Sequence, residues 1–269
     1  MRDDLHGLPP HRTWARGGPR PVLALHCSLA HSGAWSGLAE RLTGITMTAT
    51  DQPGHGRAAD WDGVSDLHKI TTDGSIAMAE DLGDGGPIDL IGHSFGGTVA
   101  LRMALERPDL VRSLTLIEPV IFAAAKGTTE FQRFLKSHLA LADLISADEF
   151  DAAARMFHGH WGEGRFDDLP ERTRHYFTHR IPLIAAQNPY LLDDSSGLLR
   201  AGGLENVGVP ALLIEGADSP DIIAAVHRAL SKRLPKAQRF SVVGAGHMEP
   251  ITHPDLIAKA VQTHLNSTS

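Results

Sequence analysis

Along the 269-residue chain, short apolar runs alternate with stretches of helical spacing. Short segments rich in apolar and β-branched residues at 21–26, 45–50, 87–91, 113–117, 210–215 and 238–243 read as strands. Between them, 33–42, 71–82, 97–106, 222–233 and 254–265 carry apolar residues at three- and four-residue intervals and read as helices. Arg107-Pro108 and Leu234-Pro235 each stop a helix, because the residue before proline disfavours helical angles. Strand followed by helix, repeated, predicts a doubly wound, mostly parallel α/β sheet. Residues 1–20 fall outside the pattern, being rich in Pro, Arg, Gly and His, with Thr13–Arg16 the one candidate strand. From 121 to 203 the alternation stops. Helices are predicted at 129–142, 147–158 and 170–185, with breaks at Gly162, Gly164, Pro170, Pro182 and Pro189.

The strongest chemical signal is Gly92-His93-Ser94-Phe95-Gly96-Gly97, which follows Ile88-Asp89-Leu90-Ile91 and precedes Thr98–Leu105. A serine at a tight strand-to-helix turn needs small neighbours, and the glycines provide them. The turn lifts the hydroxyl above the sheet edge, where free N–H groups at the helix start favour negative charge. Such a serine is suited to attack a carbonyl. Near the C-terminus, Val242-Val243-Gly244-Ala245-Gly246-His247-Met248 delivers a histidine from a strand into a glycine-rich loop. Two acids lie between them at strand ends: Glu118 after Leu114–Ile117, and Asp218 after Ala211–Ile214.

Serine, acid and histidine in that order, each at a strand end, resemble the α/β-hydrolases. The resemblance extends over most of the chain. Pro21–Ser28 is similar to the family's strand and His-Gly turn, with Cys27 in place of the glycine, and Thr50–Arg57 to its Asp-x-Pro-Gly-His-Gly loop. It implies residues 1–120 and 204–269 as the α/β-hydrolase core and 121–203 as an inserted helical cap, or lid, over the serine. It also implies Ser94 as nucleophile, His247 as base, and an oxyanion hole made by the N–H groups of Ser28 and Phe95. The acid stays open between two positions. The family's usual site falls at Ser219, one residue beyond Asp218. A subset, some haloalkane dehalogenases among it, carries the acid after the earlier strand, where Glu118-Pro119 stands. Glu118 is the preferred acid and Asp218 the alternative. Met248, Phe122 and Trp161 are candidates to touch substrate. His55 and Arg57 are expected to brace their turn.

Composition narrows the partners. A net charge of −7 argues against nucleic acid, which needs a basic face. With one cysteine, Cys27, no intrachain disulfide can form. The N-terminus shows no apolar signal region and no run reaches the ~18 residues of a membrane span, so a cytoplasmic protein without membrane association is expected. The insertion's His158, His160, His175 and His179 lack cysteine or clustered carboxylates at ligand spacing, so neither metal nor other cofactor is expected. The expected reaction is hydrolysis of a small carboxylic ester, thioester or lactone through an acyl-enzyme. Alternatives are a carbon–carbon bond hydrolase of aromatic-ring degradation and a non-catalytic receptor on the same fold.

Overall fold

A computed structural model describes residues 7–268. Six strands form one sheet: β1 (His11–Leu25), β2 (Ile45–Thr50), β3 (Ile88–His93), β4 (Val111–Ile117), β5 (Ala211–Gly216) and β6 (Ala237–Val242). Their spatial order is β2-β1-β3-β4-β5-β6, with neighbours paired in parallel. β1 begins ten residues earlier than the apolar run at 21–26 suggests. Its second half runs alongside β2, with Leu25 opposite Thr50. In its first half the register reverses, from Arg16 opposite Ile45 back to His11 opposite Thr50. The chain therefore doubles back at Gly17-Gly18 and holds β2 on both sides.

Side-chain alternation divides the core in two. Leu23, Leu25, Leu90, Leu114, Leu116 and Leu213 face α2 (Leu67–Gly83), α3 (Phe95–Glu106) and α8 (Asp221–Arg233). Val22, Ala24, Ile91, Ile117, Leu212 and Ile214 face α1 (Ser36–Ala39) and α10 (Pro254–Ser267). A short α9 (Glu249–Thr252) precedes α10. Between β4 and β5 the chain forms α4 (Thr129–Ser146), α5 (Phe150–Trp161), α6 (Glu171–Arg180) and α7 (Pro182–Asp193). The helix expected over 170–185 is thus two. Pro182 opens the second, where a missing N–H costs nothing, and Pro189 lies inside it rather than ending it. Leu141, Ile145, Ala153, Ile181 and Ile184 give these helices a core of their own, completed by Leu29 from the loop after β1. Among the described residues no helix is long and apolar enough to cross a membrane.

Three buried histidines link separate elements as neutral rings. His26 donates from Nδ1 to the Cys27 carbonyl (2.7 Å) and accepts the Gln52 N–H at Nε2 (3.1 Å). His68 accepts from the Arg102 guanidinium (3.0 Å), and His93 donates to the His247 carbonyl (2.8 Å). Burial lowers all three to about 3, assisted by the charge of His55 on His26, Arg102 on His68 and His247 on His93. The unfolded chain takes up these protons below its ordinary histidine value of about 6.5, whereas the folded chain does so only near 3. Stability therefore falls as pH drops from 6.5 toward 3. The melting temperature is expected to drop by on the order of 10 °C between pH 7 and pH 5, read by circular dichroism. A flat profile would show that these rings are solvated or charged in the folded protein.

Candidate active site

β3 ends at His93, and the next residue, Ser94, has φ 56° and ψ −119°. These angles belong to the first central position of a type II′ turn, a place glycine otherwise fills. The turn is held by the Ser94 N–H on the Ile117 carbonyl (2.9 Å). Its neighbours must be glycine: a β-carbon on Gly92 would stand 2.4 Å from the Gly96 carbonyl oxygen, and one on Gly96 would stand 2.2 Å from that of Leu25. α3 starts at Phe95, so the Phe95 N–H has no helical acceptor behind it. Neither it nor the Ser28 N–H donates to an acceptor among the described residues. Cys27 keeps ordinary backbone angles, and the left-handed residue of this loop is Leu29, with φ 60°. Burial pushes the Cys27 thiol up to about 12, which leaves it a small inert side chain.

Glu118 follows β4 in a left-handed conformation, φ 45°, and is fully buried. Its Oε2 accepts from His247 Nδ1 (2.5 Å). Its Oε1 accepts from the Gly216 N–H (2.7 Å) and the Ser219 hydroxyl (2.5 Å). Burial pushes the Glu118 carboxyl up, but the hydrogen bond and charge of His247, with the Ser219 and Gly216 donors, outweigh it and hold it below the usual range. An ionised Glu118 accepting at Nδ1 places the histidine's proton there and leaves Nε2 free to accept one. Asp218 is exposed. Its N–H donates to the Ala245 carbonyl, and its carboxylate makes no hydrogen bond among the described residues. The residue at the expected acid position, Ser219, thus serves Glu118 instead.

Ser94 and His247, both buried, line one cavity of about 790 Å³ together with Ser28, Trp161, Met248 and Phe177. The Trp161 ring lies 4.7 Å from that of His247, centroid to centroid. Phe122 does not line this cavity. Its ring is buried against Phe134 (4.1 Å) and Trp161 (5.9 Å), because the turn after Ile121 directs it into the core shared with α4 and α5. Arg57 braces its turn through Asp51, as its position suggests, and also lines the cavity. Of the insertion's histidines, His158 packs between Phe166 and Phe177, His160 lies against Trp161, and His175 and His179 are exposed. Among the described residues no three of His, Cys, Asp and Glu come together in a way that could hold a metal ion.

Two neighbours have no signature in the sequence. Gln187 of α7 accepts from the Ser28 hydroxyl (2.7 Å), tying the insertion to the loop after β1. Glu249 is buried two residues beyond His247, and both its oxygens lack a partner among the described residues. Burial, and then the charge of Glu118, raise its carboxyl well above the usual range.

A strained serine at a strand-to-helix turn and a histidine held by a buried glutamate, all at the C-terminal edge of a parallel sheet, define the hydrolase class of α/β protein. Residues 20–254 match the model of the alpha/beta hydrolase fold family, and the chain belongs to that family. It is 30% identical to Lipase LipV of Mycobacterium tuberculosis, covering 92% of this chain and 94% of that protein. Its identity to (E)-2-((N-methylformamido)methylene)succinate hydrolase of Acinetobacter baylyi is 22%, over 94% and 93%. The structure of MenH from S. aureus superposes with a TM-score of 0.67 at 16% identity, covering 96% of this chain and 98% of that one.

Proposed function

We propose that the protein hydrolyses a small ester-like bond, as in a carboxylic ester, thioester or lactone, through an acyl-enzyme on Ser94. The observation that carries this reading is that His247, held by the buried Glu118, lines the same cavity as the strained Ser94. His247 Nε2 takes the Ser94 proton as Oγ attacks the carbonyl carbon, and Glu118 stabilises the imidazolium that results. The oxyanion is received by the N–H groups of Phe95 and Ser28, a stabilisation worth about 3 kcal/mol per donor. His247 returns the proton to the leaving group, which departs. Water then enters by the same route, attacks the acyl carbon and frees Ser94. Helices α4–α7 form the lid, and Trp161 and Met248 contact the substrate. The identity to a lipase supports an ester as the bond cut.

A fluorophosphonate probe tests the reading without knowledge of the substrate. It needs a serine activated by its neighbours, so the folded protein is expected to carry one adduct, located by mass spectrometry on the peptide containing Ser94, and heat-denatured protein none. Absence of the adduct, or equal labelling after denaturation, overturns it.

A further inference from the structure

The cavity has an uneven distribution of charge. Besides Ser94 and His247 it is lined by three arginines, Arg12, Arg57 and Arg172, against two acids, Asp51 and Glu163. Asp51 is already committed. It is buried, Oδ1 accepts the Ser32 N–H (2.7 Å), and Oδ2 accepts the Arg57 N–H (3.1 Å) and Nε–H (3.3 Å). Arg57 spends a further N–H on the His11 carbonyl (2.5 Å). Arg12 and Arg172 are different. Each is exposed, and neither makes an ion pair or a side-chain hydrogen bond among the described residues. Twelve other described arginines, from Arg20 to Arg239, are in ion pairs. Arg12 lies over the loop after β1: a β-carbon on Gly33 would stand 3.5 Å from its guanidinium carbon. Arg172 reaches the cavity from the second position of α6, on the insertion.

The cavity thus runs from a buried serine to an exposed rim with two uncommitted guanidinium groups, one from the sheet and one from the insertion, against one uncommitted carboxylate, Glu163. A guanidinium fork matches a carboxylate or phosphate and offers nothing to an apolar chain. The acyl part stays on Ser94 while the leaving part must escape to solvent, so the leaving part is what the rim meets. We propose that Arg12 and Arg172 bind an anionic group, carboxylate or phosphate, on the leaving part of the substrate, several bonds from the bond cut. This assignment rests on the ester-hydrolase reading above. It separates the protein's substrates from neutral fats, whose leaving parts carry no charge.

The test compares hydrolysis of 4-(butanoyloxy)benzoate, 4-(butanoyloxy)phenyl phosphate and neutral methyl 4-(butanoyloxy)benzoate by wild type and by an R12Q/R172Q double variant. At low salt the wild type is expected to favour at least one anionic ester about fivefold in kcat/KM, mainly through KM. That preference shrinks in 0.5 M sodium chloride. Whichever anion is favoured distinguishes carboxylate from phosphate. In the double variant the preference should fall to about one, with turnover of the neutral ester kept within twofold. A wild-type preference of one or less, or one unchanged in the variant, overturns the proposal. If no ester is cleaved at all, the hydrolase reading fails. Calorimetric binding of the uncleavable amides 4-(butanoylamino)benzoate and 4-(butanoylamino)phenyl phosphate then decides the anion site separately. At least one binding to wild type and not to the variant sustains it; neither binding, or equal binding to both proteins, overturns it.

Discussion

Replacing Ser94 with alanine is expected to lower kcat on short-chain p-nitrophenyl esters by on the order of 10⁶-fold, with the circular dichroism spectrum unchanged. The loss is large because the proposed reaction passes through an acyl group on Ser94. Cys27, which also lines the cavity, has its thiol pushed up to about 12 by burial and is not ionised near neutrality. The variant keeps the Phe95 and Ser28 N–H groups and the Glu118–His247 pair, so a small residual rate of water attack remains. The fold should survive because the Ser94 side chain makes no capping hydrogen bond to α3. Activity within tenfold of wild type, measured on protein purified free of host esterases, would remove Ser94 from the mechanism.

Glu118→Gln is expected to cost about 10⁴-fold in kcat, and Asp218→Asn less than twofold. The amide can still accept the Gly216 and Ser219 donors through its oxygen. Its NH₂ then faces His247 Nδ1, which must become the acceptor. That moves the ring proton to Nε2, where the Ser94 proton has to go, and the imidazolium loses its counter-charge. Asp218 is exposed, without a side-chain partner among the described residues, and its removal changes neither tautomer nor charge in the cavity. Steady-state kinetics on one ester ranks the two variants, and the reverse ranking would transfer the orienting role to Asp218.

How much of this could be read from the residues depended on how local each signal is. β2 to β5 were legible because buried strands are short runs rich in β-branched and aliphatic residues, and Ile45–Thr50 matches to the residue; β6, mostly exposed at the sheet edge, was legible from Phe240 and Val242. The serine turn was legible for a steric reason, since only glycine fits at 92 and 96. The doubling of β1 was not. Gly17-Gly18-Pro19 reads as a loop, and the pairing that makes His11–Arg16 a strand lies some thirty residues away on β2. Cys27 stands where the family's glycine would be and keeps ordinary angles; the left-handed residue of that loop is Leu29, whose side chain gives no signal of it. The support of Glu118 by Gly216 and Ser219 spans about a hundred residues. Only a fold that sets β5 beside β4 reveals it. Phe122 was misplaced because the ring's direction depends on the turn after Ile121, which the composition of that segment does not encode.

The backbone at Ser94 has a consequence for how this chain evolves. At φ 56° and ψ −119°, every residue but glycine is strained. Glycine there relieves on the order of 1 kcal/mol, partly offset by its greater freedom in the unfolded chain. Glu118 is also left-handed, but it repays its strain with three buried hydrogen bonds. The Ser94 side chain makes no such hydrogen bond among the described residues. Selection for thermal robustness alone, with no demand for turnover, would therefore erode the serine before it touched the glutamate. Loss of the serine under such selection, and its retention when turnover is also demanded, would mark position 94 as held by chemistry rather than by folding.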